Sequence, residues 1–448
     1  MTIREASQHI RLGELSPVER VRSCLDRMDA VDDRIRAWVV VDREGALSAA
    51  KEAEAEIRAG RWRGPLHGIP LGIKDIVDVR GLPTRAGARL LADAPPADQD
   101  ATVVSRLREA GGVILGKTVT TEFACFDPSD TRNPWNLAHT PGGSSSGSAA
   151  AVASGMCLGA IGSQTGGSIS RPAAYCGVVG CKPTHGRVSA HGFVPVSFSL
   201  DHPGPFARSV ADAALLLRAM AGYDPRDPVS APEPVADYVA ACAPGEGAPR
   251  IGMVGGLFLD RADEDVRRGL EKARQAFETC GATVTGARMP EAFGEVHRMH
   301  RILMCADLAA YHQAQFQDRK ADYRPGIRGL IEEGLALSAV DGAGARWRQI
   351  RFKGAIQETL RGVDVLLTPA APTPAPQDLT TTGDPVFNSP WSYAGLPTIV
   401  LPVALARNGL PVAVQLVGRA FREADLFRVA AWAEKAIGFN ARPPEQPS

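Results

Sequence analysis

PGGSSSGS at residues 141–148 and GSQTGGS at residues 162–168 are two glycine- and serine-rich runs that flank one segment of small residues. Upstream of both, Lys74 interrupts the apolar run LGIKDIV of residues 71–77, which predicts a buried strand. A lysine in a buried strand must lose its charge, pair it or use it. Serines together with a lysine that can be neutral indicate nucleophilic catalysis, because a serine hydroxyl attacks only after a base has taken its proton.

Lys74 is the candidate base, since Ser–Lys arrangements are a known variant of the catalytic triad. It must be neutral to accept a proton, so burial has to lower its pKa from about 10.4 to roughly 7–8. At about 1.36 kcal/mol for each pKa unit, this shift costs on the order of 4 kcal/mol. Folding must supply that free energy.

The downstream run has the residue types of an acyl-transfer site. Glycines let backbone N–H groups approach a developing oxyanion, so Thr165, Gly166, Gly167 and Ser168 form the candidate oxyanion hole. Ser168 stands just before a predicted helix start at residues 169–175, whose N-terminal partial positive charge faces the same point. Ser168 is therefore the candidate nucleophile. The alternative for either run taken alone is a flexible glycine–serine loop.

Four motifs in a fixed order resemble the amidase signature hydrolases. They are GIKD at 72–75, GGSSSGS at 142–148, TGGS at 165–168 and YCGVVGCKPT at 175–184. Further matches at residues 64–70 and 394–397 extend the resemblance over most of the chain.

The resemblance implies a role for each reactive residue. Lys74 is then the base, Ser144 relays the proton and Ser168 attacks the substrate, with a cis peptide bond between Gly143 and Ser144. Gln164 stands where the family often has an acidic residue. That departure leaves in place every group that the proton relay needs.

Predicted strands and helices alternate along the chain, which favours an α/β fold with a large mixed β-sheet and helices on both faces. The resemblance implies the amidase signature fold, as one domain over residues 1–448 with its signature core at about 64–210. The part at about 250–440 is expected to complete the sheet and the substrate entrance. No cofactor is implied.

Three side chains are candidates for substrate binding. Arg171 follows Ser168 by three positions, one helical turn, so its guanidinium is expected in the same pocket, where it would hold a carboxylate. The alternative for Arg171 is a salt bridge or a hydrogen bond from helix to loop. Phe387 and Trp391 are predicted to form an apolar wall, with packing in the core as their alternative.

Other site patterns in the chain are excluded by their context. GGVILGKT at residues 111–118 matches a phosphate-binding loop, but a helix-like segment precedes it instead of a strand. GSSSG at residues 143–147 matches a nucleophile elbow but lacks the apolar strand before it. His297 and His300 have no third ligand at plausible spacing, so no metal site is predicted.

Composition limits the partners and the compartment. Lys and Arg number 50 and Asp and Glu also number 50, which gives no electrostatic footprint for nucleic acid. The N-terminus lacks the apolar core of a secretory signal, and the run from Ala149 to Ile161 is too short to span a membrane. Eight cysteines without a C-x-x-C pair suit reduced thiols in the cytoplasm.

The expected function is hydrolysis of an amide or ureido C–N bond in a small molecule through an acyl-enzyme, by a protein that is a possible homo-oligomer. One alternative is the glutamine-hydrolysing A subunit of a tRNA-dependent amidotransferase, which requires partner chains. A second is a catalytically silent family member that serves a complex only by binding.

Overall fold

The computed structural model of the protein describes residues 1–245 and 247–445. Within these ranges one mixed sheet contains eleven strands. They are β1 (Trp38–Val41), β2 (Pro70–Lys74), β3 (Val113–Thr118), β4 (Gly159–Gln164), β5 (Val179–Lys182), β6 (His202–Ala207), β7 (Arg250–Val254), β8 (Thr283–Ala287), β9 (Val365–Pro369), β10 (Thr398–Leu405) and β11 (Pro411–Val417). Their order is β1-β3-β2-β4-β6-β5-β10-β11-β9-β7-β8, with parallel and antiparallel pairs, which confirms the predicted mixed sheet.

Fifteen helices are found in the same part of the chain. They are α1 (Ile3–Arg11), α2 (Pro17–Ile35), α3 (Arg43–Arg58), α4 (Thr102–Glu109), α5 (Ser146–Ser154), α6 (Ser170–Cys176), α7 (Val210–Met220), α8 (Tyr238–Ala241), α9 (Leu257–Asp260), α10 (Glu264–Thr279), α11 (Val296–Arg319), α12 (Pro325–Ala336), α13 (Ala339–Thr359), α14 (Ser389–Ala394) and α15 (Glu423–Ile437). None of these helices is long and apolar enough to cross a membrane.

Helices cover both faces of the sheet, as the sequence predicts. Side chains alternate between the two faces along a strand, and Ala160 and Ile161 on β4 belong to different apolar clusters. The cluster of Ile161 contains α7, whereas the cluster of Ala160 contains α2 and α5. Ile399 and Val400 on β10 divide in the same way.

The order of the central strands determines where the site lies. Strand β2 is parallel to both of its neighbours, β3 and β4, with Ile73 beside Ile161. The carboxyl ends of parallel strands meet at one edge of a sheet, which is where open α/β sheets bind ligands. Lys74 ends β2 and Gln164 ends β4, so the segments that follow them begin side by side.

Helix α5 is built from small residues, and all nine are buried. A Cβ atom at Gly147 would lie 2.2 Å from the carbonyl oxygen of Ala37 and 2.4 Å from the backbone nitrogen of Val119. Only glycine permits this approach, and the Gly147 N–H donates to the Val119 carbonyl at 3.0 Å. The contact holds the start of α5 against the segment that follows β3.

The proline-rich segment between α7 and β7 contains regular structure. It contains the short helix α8, capped by the Asp237 carboxylate, and Tyr238 is only 1% exposed. The Tyr238 ring lies 5.6 Å from the ring of Phe427 on α15. The buried Tyr238 ring therefore holds this segment against α15.

Candidate active site

Lys74 and Ser144 are in direct contact at the carboxyl edge of the sheet. Lys74 is fully buried, and its Nζ donates hydrogen bonds to Ser144 Oγ at 2.7 Å and to Ser163 Oγ at 3.0 Å. The peptide bond between Gly143 and Ser144 is cis, as the resemblance implies. The lysine and the proposed relay serine are thus brought together from β2 and from the loop before α5.

The electrostatic environment of Lys74 suits a base. Burial lowers the pKa of Lys74 to about 7, because the protein interior solvates its charged form poorly. Nearby Asp201 opposes this shift, since its negative charge stabilises the ammonium form. Burial in turn raises the pKa of Asp201 to about 6. A large fraction of the Lys74 side chains is therefore neutral near pH 7.

The loop of residues 165–168 has carbonyl oxygens that are bound and N–H groups that are left unpaired in the part of the chain that the structure describes. The carbonyl oxygen of Thr165 contacts His300 Nε2 at 2.9 Å, and that of Gly166 accepts from Ser392 Oγ at 3.0 Å. Within the described residues, the N–H groups of Gly166, Gly167 and Ser168 donate no hydrogen bond. Unpaired backbone donors beside a hydroxyl are the arrangement that an oxyanion hole requires.

Gln164 holds the base of this loop. Its Oε1 accepts hydrogen bonds from the N–H groups of Ile169 at 2.9 Å and Ser170 at 2.8 Å, and its Nε2 donates to Ser392 Oγ at 3.1 Å. Ser392 passes the connection on to the Gly166 carbonyl. The Gln164 amide keeps one acceptor oxygen, which takes both N–H groups, and its NH2 group is a donor where a carboxylate would have a second acceptor oxygen.

Ser168 lines a cavity of about 440 Å³. The loop of residues 165–168 forms one side, and Leu257, Met304 and Val386 contribute apolar surface. Arginine side chains and one carboxylate, that of Asp384, bring both signs of charge to the wall.

Arg171 lies on this wall, as predicted, and is 3% exposed. Its Nη2 donates to the Gly143 carbonyl at 2.7 Å and to Thr382 Oγ1 at 3.0 Å, while its Nε and Nη1 have no hydrogen-bond partner in the described chain. Burial lowers the pKa of Arg171 to about 10. Two other cavity arginines differ, since Arg261 pairs with Asp384 at 3.1 Å and Arg301 with Glu333 at 2.6 Å.

Phe387 and Trp391 are not on the cavity wall. Both are fully buried, and their rings lie 5.2 Å and 5.7 Å from the ring of Phe258 in the core. The prediction that these two side chains form an apolar wall of the cavity is therefore wrong. Both pack in the core, which is the alternative considered from the sequence. Their neighbours Val386 and Ser389 occupy the wall instead.

His297 and His300 bind backbone carbonyls across the cavity rim. His300 Nε2 contacts the Thr165 carbonyl, and His297 Nε2 contacts the Val386 carbonyl, both at 2.9 Å. Burial lowers the pKa of His300 to about 4, so its ring is neutral at pH 7 and can donate one N–H. In the described ranges no group of three His, Cys, Asp or Glu side chains is placed to hold a metal ion.

Comparison with known proteins identifies the family of the chain. The family model described as Amidase matches residues 19–427. The chain belongs to the amidase family. The A subunit of the glutamyl-tRNA(Gln) amidotransferase from Anaeromyxobacter sp. (strain K) is 38% identical, over 99% of this chain and 97% of the relative.

Solved structures of amidase-family proteins share the whole fold. A chain from the "unexpected vestigial protein complex" that reveals the origins of an s-triazine catabolic enzyme has a TM-score of 0.92 and 30% identity, over 99% of this chain and 100% of that one. The peptide amidase of Stenotrophomonas maltophilia has a TM-score of 0.89 and 34% identity, over 99% of this chain and 98% of that one. The resemblance seen in the motifs is thereby confirmed.

Two residues of this amidase site carry no obvious signal in the sequence. Ser163 lies inside a run of small residues and contacts Lys74 only because β2 and β4 are adjacent. Asp201 precedes β6, and its carboxylate accepts from Thr165 Oγ1 at 2.5 Å and from the N–H groups of Val196 and Ser197 at 2.8 and 3.1 Å. The position of Asp201 beside the loop of residues 165–168 depends on the pairing of β4 with β6.

Proposed function

We propose that the protein hydrolyses a C–N bond through an acyl-enzyme formed on Ser168. The contact between Lys74 and Ser144 carries this proposal, because it provides a neutral amine next to the serine that relays the proton. Lys74 takes the proton of Ser144, which takes that of Ser168 as Ser168 Oγ attacks the carbonyl carbon. The N–H groups of residues 165–168 stabilise the oxyanion.

The second half of the reaction restores the enzyme. The proton returns through Ser144 to the leaving nitrogen, and ammonia or an amine departs. Water then gives a proton to the same relay and attacks the acyl carbon. As the bond from Ser168 Oγ to that carbon breaks, the relay returns the proton to Oγ, and the acid is released. The relay and the oxyanion hole serve both steps.

The proposed substrate carries a carboxylate. Arg171 supports this, since it is a buried cation whose Nε and Nη1 have no partner in the described chain. A carboxylate there would receive charge-assisted hydrogen bonds. Asp384 also lines the cavity, but it is paired with Arg261 at 3.1 Å, so the proposal gives it no part in holding the substrate.

The curated relatives favour the amidotransferase alternative over a free-standing amidase. Two of them, from Anaeromyxobacter and Geobacter, bear the name of this amidotransferase and match over nearly their full length. On this proposal, glutamine is the amide donor. The protein then works with partner chains on a tRNA-linked substrate, in place of the expected small-molecule amidase that acts without nucleic acid. The peptide amidase and the 6-aminohexanoate cyclic dimer hydrolase among the structural neighbours keep a free-standing hydrolase as the competing candidate.

Ammonia release separates the candidates. The purified protein is assayed with glutamine, half-amides of dicarboxylic acids, ureido acids and neutral amides. Activity that needs co-purifying chains and is confined to glutamine supports the role in an amidotransferase. Full activity of the isolated chain on another amide supports the free-standing amidase.

Ser168→Ala tests the chemistry itself. This variant is expected to lose turnover with every substrate and to lose labelling by a serine-reactive fluorophosphonate, while its thermal unfolding is unchanged. Ser170→Ala, two positions away and buried, is the matched control and should keep labelling at Ser168. Labelling that persists in Ser168→Ala, or is absent from the wild type, would defeat the assignment and revive the silent binding role.

A further inference from the structure

Helix α13 exposes an apolar stripe on its outer side. Val340 is 79% exposed, Trp347 61% and Ile350 56%, and exposed Ala343 and Gly354 complete the same line. The spacing of three and four residues places all five on one side of the helix. We call these five residues the α13 stripe.

The opposite side of α13 already packs against the body of the protein. Ala345, Gln349, Phe352 and Ile356 are buried, also at spacings of three and four. A helix on the surface of a monomer has one apolar face, and an additional exposed apolar patch marks an interaction site. The α13 stripe is therefore not needed to pack α13 against the rest of the chain.

Glycines in α13 lead to the same conclusion. Gly within a helix destabilises it by about 1 kcal/mol relative to Ala. A Cβ at Gly342 or Gly354 would meet no atom of the described chain within 4 Å, so the fold itself does not need glycine at these positions. At Gly354, which lies in the stripe, the absent side chain leaves room for a partner.

The stripe is complementary to itself. If two α13 helices lie antiparallel with the Trp347 side chains at the centre, each Val340 faces Gly354 of the other copy. Ala343 of one copy and Ile350 of the other likewise lie on the same side of the interface and at similar heights along the helix axes. Large side chains then meet small ones, which is how facing helices interdigitate.

The charges beside the stripe fit the same pairing. Asp341 and Arg351 flank it on one side, and antiparallel pairing brings each Asp341 near Arg351 of the other copy. The Arg351 guanidinium is exposed and has no partner in the described residues. Of the two arginines next to Trp347, Arg348 is paired with Glu295 at 3.2 Å, and Arg346 donates to Gln349 Oε1 at 2.8 Å.

We propose that the α13 stripe is the two-fold interface of a homodimer, with two α13 helices packed antiparallel about Trp347. The stripe is about 21 Å long at 1.5 Å per residue. Leu335, near the end of the preceding helix α12, is a further large apolar side chain that is 49% exposed, and a stable interface buries roughly 800 Å² per partner. Each copy contributes the same patch, as two-fold symmetry requires.

Sedimentation of the purified chain tests the proposal. At micromolar concentration the wild type is expected to sediment as a dimer of the 47.4 kDa chain. Trp347→Glu should weaken dimerisation by about tenfold or more, because it places two like charges together at the axis. Leu12→Glu is the matched control, since Leu12 is 62% exposed and lies in the turn after α1.

Gly354→Leu distinguishes the proposed packing from general stickiness. This substitution adds apolar surface and improves helix propensity, so non-specific association would increase. In the proposed dimer the leucine occupies the space of the opposing Val340, and association should weaken. A Gly354→Leu protein that dimerises more tightly than the wild type would overturn the packing.

A cross-link locates the axis. In a Cys280→Ser background, which removes the exposed cysteine, Trp347→Cys should form a disulfide-linked dimer on mild oxidation, whereas Leu12→Cys should not. A monomeric wild type, or equal cross-linking of the two cysteine variants, would refute the homodimer.

Discussion

The Arg171 guanidinium donates a 2.7 Å hydrogen bond to the carbonyl oxygen of Gly143, the residue immediately before Ser144. One side chain therefore touches both the cavity and the backbone that carries the relay serine. Arg171 makes the helix-to-loop hydrogen bond considered from the sequence, and its Nε and Nη1 remain unpaired in the described chain, as the proposed carboxylate contact requires.

Arg171→Met should separate these roles. Loss of the hydrogen bond to Gly143 lowers kcat for every substrate, whereas loss of the charge raises KM only for amides that bear a carboxylate. A charge-assisted pair contributes about 1.5–3 kcal/mol, so kcat/KM for the charged amide should fall about 10- to 100-fold further than for its neutral analogue. Equal losses on both substrates would assign Arg171 to structure alone.

Lys74→Met should stabilise the fold while it abolishes turnover. In the wild type the folded-state pKa of Lys74 is about 7, below the value of about 10.5 for the exposed amine. The unfolded chain binds more protons between these values, so wild-type stability rises with pH through this window. Below pH 7 the folded protein bears the full cost of a buried charge.

Unfolding in denaturant at several pH values measures this effect. Lys74→Met should raise the free energy of unfolding by about 2 kcal/mol or more at pH 6, since part of the gain is offset by two lost hydrogen bonds. The gain should shrink as the pH approaches 10. A variant less stable than the wild type at pH 6 would contradict the depressed pKa.

Asp201→Asn should move the pH profile in a defined direction. The Asp201 charge raises the pKa of Lys74, so its removal lowers that pKa further. The rising limb of kcat/KM against pH, near pH 7 in the wild type, should shift to lower pH. Thr165→Val removes the hydroxyl that donates to Asp201 and so raises the pKa of Asp201, which should shift the limb in the same direction by a smaller amount. A shift to higher pH in Asp201→Asn would be inconsistent with this electrostatic role.

Gln164→Glu should lower kcat with little change in KM. The carboxylate still accepts from the Ile169 and Ser170 N–H groups, but it cannot donate to Ser392. Ser392→Ala removes the next link, to the Gly166 carbonyl. Each change is expected to reduce kcat about tenfold, and the double variant should be no worse than either alone if they act through one chain. Additive losses would mean that the two residues act independently.

The reactive residues and the local elements around them could be predicted from the sequence because their signals are local. The strand predicted around Lys74 is β2, and the helix predicted at residues 169–175 is α6. Ser163 could not be predicted as a partner of Lys74, since that contact depends on which strands are neighbours. The orientation of Trp391 could not be predicted either, because a short helix buried on every side has no polar face to set its rotation.

The reactive groups of the cavity and most of its remaining walls come from different stretches of chain. Ser168 and the Lys74–Ser144 pair belong to the first half, whereas Leu257, Met304 and most other lining residues belong to the second. A laboratory library that randomises the apolar residues Leu257, Met304 and Val386 would vary the shape of the cavity and leave Arg171, the Lys74–Ser144 pair and the contacts of His300 and Ser392 in place. Changes of substrate size by directed evolution should therefore accumulate after residue 250, whereas changes of substrate charge should require Arg171.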